Sequence, residues 1–73
     1  MAVDKEKLML DYHRMIHEIA VARNPIEADT ARNIAENVIT MLSTKLSERE
    51  INDMKQTVSC FYWKTERRLS EGL

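Results

Sequence analysis

At 73 residues with a single cysteine, this chain has room for one domain (residues 1–73). It can close neither an intramolecular disulfide nor a four-cysteine zinc site. Eleven basic against twelve acidic residues leave a net charge of −1, without the strong basic excess of a dedicated nucleic-acid binder.

One glycine, one proline, 44% hydrophobic and 32% charged residues describe packed helix rather than disorder. β-branched and aromatic residues are too sparse for a sheet protein. The expected fold class is all-α: three antiparallel helices of similar length, over about residues 4–23, 25–45 and 48–69, in a small bundle.

The first helix should open at Asp4, whose carboxylate can accept from an orphan amide. Val3 and Leu8 flank it as a hydrophobic staple. Leu8, Met9, Tyr12, Met15, Ile16 and Ile19 recur at helical spacing and predict the core face. Arg23 is the expected last-turn cation, suited to the negative end of the helix dipole.

The stretch Asn24-Pro25-Ile26-Glu27 breaks the chain. Proline disfavours helix at Asn24 and fits the first position of the next helix. Asn24 as N-cap and Glu27 at N3 form a capping box. Ala31, Ile34, Ala35, Val38, Met41, Leu42 and Leu46 then predict one core stripe.

Ser47 and Glu50 form a second capping box, stapled by Leu46 and Ile51. The third helix follows with Ile51, Met54, Val58, Phe61, Tyr62, Thr65 and Leu69 on its inner face. Ser70, Glu71 and Gly72 are expected to unwind its end. Links this short make successive helices antiparallel neighbours.

LSEREIND, residues 46–53, resembles the opening of the LuxR-type helix-turn-helix. That family continues into a turn and a recognition helix. Here Met54–Leu69 has no turn residue. The likeness is one of a shared capping box, and no DNA-contacting role follows from it.

The residues for catalysis are missing. His13 and His17 have the spacing of two metal ligands, but Arg14 stands where a zinc protease has glutamate, and a third ligand would have to come from Glu18 or Cys60 approaching in the fold. Cys60 could pair with a histidine as nucleophile and base, but nothing supplies an oxyanion hole and so small a bundle offers little concavity. The only glycine is Gly72, so there is no phosphate loop. Acidic pairs such as Glu48 and Glu50 sit at helix starts, where the dipole accounts for them. No enzyme, cofactor or bound metal is expected.

A core this small supplies about 3–5 kcal/mol by itself, so self-association is expected, as a homodimer. Apolar residues are left over on the outside. Gln56, Cys60, Trp63 and Arg67 share the outer side of helix three, while Leu10, His17 and Val21 share that of helix one. An apolar anchor fringed by charge fits a protein-binding surface, and tryptophan is enriched at interface hot spots. The expectation is a small non-enzymatic regulator or adaptor, of the kind common in bacterial and phage genomes, with a protein partner.

The alternative is a nucleic-acid-binding or nucleoid-type protein, with Lys64, Arg67 and Arg68 on phosphates and Trp63 stacked on a base. No apolar run approaches a membrane span and the N-terminus does not read as a secretory signal. With one free thiol, the expected location is the cytoplasm.

Overall fold

The computed structural model describes residues 4–71, which form three helices and no strand: α1 (Lys5–Ala20), α2 (Pro25–Leu42) and α3 (Glu48–Glu71). Val3 of the expected staple and the end signal Gly72 lie outside the described residues. None of the helices is long and apolar enough to cross a membrane.

All three starts follow from local hydrogen bonding. Asp4 Oδ1 accepts from the Glu6 N–H at 3.0 Å. Asn24 Oδ1 accepts from the Glu27 N–H at 2.9 Å, and Ser47 Oγ from the Glu50 N–H at 3.2 Å. The reciprocal arms of the two capping boxes differ from the standard pattern. Glu27 Oε2 accepts from the N–H of Arg23 rather than of Asn24, at 3.0 Å. Glu50 Oε1 instead accepts from the Ser47 hydroxyl, at 3.3 Å.

The ends correct the sequence expectations. The helices are not of similar length, having 16, 18 and 24 residues. α1 stops at Ala20, short of Arg23, where the Val21 and Ala22 N–H groups turn back onto the His17 and Ile19 carbonyls and α3 supplies further donors. Thr65 Oγ1 donates to the Ile19 carbonyl at 2.8 Å, and Arg68 donates to the Ala20 and Ala22 carbonyls at 3.2 and 2.7 Å. The cation at this helix end therefore comes from another helix.

α2 stops at Leu42, where the Lys45 and Leu46 N–H groups turn back onto the Leu42 carbonyl. α3 continues through Ser70 and Glu71, supported by an Arg67–Glu71 contact at 3.2 Å.

Leu8, Tyr12 and Ile19 of α1 meet Ala31, Ala35, Val38, Ile39 and Leu42 of α2 and Ile51, Met54 and Val58 of α3 in one core. Met15, Ile16, Phe61 and Tyr62 pack against its edge, so the two rings are half-buried rather than central. Ile34 and Met41, expected inside, are 44% and 54% exposed. Ala28 and Ile39 are buried in their place. At 100° per residue, Ile34 and Met41 lie about 100° from the middle of the buried set of α2. α2 is thus apolar over a wider arc than the chain's own core covers.

Polar ties set the positions of the helices. The Tyr12 hydroxyl donates to the Met54 carbonyl at 3.4 Å. The Tyr62 hydroxyl lies between the carboxylates of Asp29 on α2 and Glu66 on α3, the latter at 2.7 Å. It has one hydrogen, so at any instant one of them accepts it. These two acceptors hold the phenol well above its usual pKa. Burial raises that of Tyr12, against a smaller opposing effect of the neighbouring Thr57 hydroxyl. Arg32 stacks over the Tyr62 ring at 4.4 Å, and its Nε, too far from any acceptor for a hydrogen bond, lies 3.9 Å from the Glu36 carboxylate.

Candidate interaction surfaces

Steps of four, three and four residues put Gln56, Cys60, Trp63 and Arg67 in one row on α3, opposite its buried set. All four are exposed, and Trp63 is 71% exposed. A surface depression of about 530 Å³ runs beside the indole, lined by Trp63, Lys64, Glu66, Arg67, Ser70 and Glu71. It mixes an aromatic plane with charges of both signs.

The basic end of α3 is largely engaged within the chain. Arg68 caps α1, Arg67 pairs with Glu71, and the Lys64 ammonium lies 5.9 Å from the centre of the Phe61 ring. The three cations named for phosphate contact thus have neighbours in the fold, Arg68 most firmly.

Leu10, His17 and Val21 are exposed on the outer side of α1 and its C-cap. They do not join the α3 row in any one depression: Leu10 lies beside Lys5, Glu6, Met9 and His13, whereas Val21 lines a different hollow. The Tyr12 ring meets His13 edge-on at 5.3 Å. Among the described residues, no three His, Cys, Asp or Glu side chains are grouped to hold a metal ion.

A third surface was not anticipated. Between the end of α1 and the first half of α2 runs an open groove of about 600 Å³. Met15, Val21, Ile26 and Ile34 form its apolar walls, Ala22 and Ala31 its floor, and Glu18, Arg23 and Glu27 its charged rim. Ile26, Thr30 and Ile34 are spaced by four, so they form one slanting row that runs from the outer side of α2 at Ile26 to the flank of the core stripe at Ile34. That row was the available signal. The sequence reading missed it because Ile34 also continues the spacing of the core.

Comparison with known protein families, with curated proteins and with solved structures returns no match.

Proposed function

We propose that this chain is a small non-enzymatic adaptor or regulator, a cytoplasmic homodimer that binds another protein through the outer face of α3. The observation that carries the reading is the indole of Trp63, 71% exposed on a helix whose core is complete without it. A large aromatic plane left in water, with Cys60 and Gln56 along the row and Arg67 beside it, has the make-up of an interface anchor and its polar rim.

The helices alternate in direction in this reading. Pairings on α1 and α3 rise together, Tyr12 with Met54, Ile19 with Thr65 and Ala20 with Arg68. On α2, Asp29 near its start meets Tyr62 late in α3. Such a scaffold holds the α3 row rigid and facing away from the core.

Phosphate binding by Lys64, Arg67 and Arg68 has less in its favour, because Arg68 is held by backbone carbonyls and the net charge offers no general attraction.

The test compares wild type with Trp63→Ala and Arg67→Glu in capture of a partner, followed by reconstitution from the two purified proteins. Stoichiometric binding to wild type, lost in both variants at unchanged helicity, is the expected result. A partner bound equally well by Trp63→Ala, or nucleic-acid binding that falls steeply with salt, would overturn the reading.

A further inference from the structure

We propose that the groove between α1 and α2 is where a second copy of this chain docks, as a two-fold symmetric dimer. This rests on the homodimeric reading above and assigns it a face distinct from the Trp63 row.

A compact chain of 8.6 kDa presents about 4,700 Å² to solvent, whereas this one presents 5503 Å². This chain therefore keeps about 800 Å² more surface in water than a compact one of its mass. The shape agrees. The Cα radius of gyration is 12.8 Å, against about 11 Å for a compact chain of this length. The extents of 44 × 24 × 13 Å describe a slab. A slab has broad faces, and a second slab is the simplest cover for one of them.

Ile26 is 77% exposed and Ile34 44%, with Val21 across the groove and Met41 further along α2 on the Ile34 side. At Ile34 and Met41 the patch flanks the core stripe of α2, while Ile26 stands on the outer side of the helix.

A two-fold interface brings a patch against itself, so it must be self-complementary. The rim holds Glu18 and Glu27 with Arg23 between them in sequence. Among the described residues, neither the Arg23 guanidinium nor the Glu18 carboxylate forms an ion pair within the chain. A two-fold axis that brings Arg23 of one protomer to Glu18 of its partner makes the reverse pair as well, while Glu27 is held by the Arg23 N–H of its own chain. A uniformly charged rim would repel its own copy.

The experiment is light scattering after size exclusion on the full chain, with circular dichroism as the control for folding. Wild type should run at about twice 8.6 kDa. Ile34→Glu and, as a second variant in case the first unfolds, Ile26→Glu should run as helical monomers. Arg23→Glu should weaken association about tenfold, and mixing it with Glu18→Arg should restore a mixed dimer. A wild-type monomer, a dimer that survives both isoleucine variants, or a charge-swapped mixture no tighter than Arg23→Glu alone would overturn the proposal. The outcomes separate from the adaptor reading. A monomer that still binds a partner through Trp63 removes only the dimer face, and a dimer indifferent to Trp63→Ala in partner binding removes only the adaptor.

Discussion

The hydroxyl of Thr65 on α3 donates to the backbone carbonyl of Ile19 on α1 at 2.8 Å, with both residues buried. This bond lets α1 stop where it does, because the Ile19 carbonyl is one of the groups a helix end leaves without an intrahelical partner. Thr65→Val keeps the shape and removes the donor. The carbonyl retains the Ala22 N–H at 3.3 Å, so the loss should be about 1 kcal/mol rather than that of an orphaned group. Urea denaturation of Thr65→Val beside Thr65→Ser measures it, and the serine variant should recover most of the difference.

Arg68 extends the same arrangement to the Ala20 and Ala22 carbonyls. Arg68→Ala should destabilise the chain by about 1 kcal/mol and speed amide exchange in the last turn of α1. Both bonds come from one nitrogen, Nη2, so Arg68→Lys, whose ammonium also carries several donors, should recover part of the loss. Unchanged exchange at Ile19–Ala22 would mean that the cap is idle.

Ala35 is fully buried where α2 faces the core. Ala35→Leu should cost about 1–3 kcal/mol by overpacking, although leucine is apolar and a good helix former. A stabilised variant would show spare room at this point.

The Tyr62 phenol has its pKa raised by the Asp29 and Glu66 carboxylates that accept its hydrogen. A folded-state value above the unfolded value of about 10 gives stability that is fully present below pH 10 and lost as pH rises through the folded value. Tyr62→Phe should therefore be less stable than wild type near neutrality, and the gap should narrow above pH 10. Tyr12 shifts in the same direction but is present in both proteins, so it cancels. A gap that is constant with pH would contradict the shared hydrogen bond.

Trp63→Ala should change thermal stability little, within about 0.5 kcal/mol, because the indole covers no part of the core. A larger loss, measured by thermal melting, would make Trp63 a structural residue.

The helix count and all three starts were legible because Asp4, Asn24-Pro25 and Ser47 are local signals, acting within a few residues of themselves. The ends were less so. Arg23 looked like the terminal cation of α1, but Arg68 takes the role from far along the chain, and spacing carries no trace of that. The row through Trp63 was readable from its distance from the inner face of α3. The groove was not: Ile34 and Met41 satisfy helical periodicity as well as Val38 does, and only the packing of α1 and α3 decides which arc of α2 is used.

Sedimentation equilibrium of the unmodified chain over a wide concentration range tests the central claim most directly, namely that its surplus apolar surface exists to be covered by its own copy. The mass should rise with concentration to a plateau at about twice 8.6 kDa. A mass of 8.6 kDa held across the whole range would contradict it.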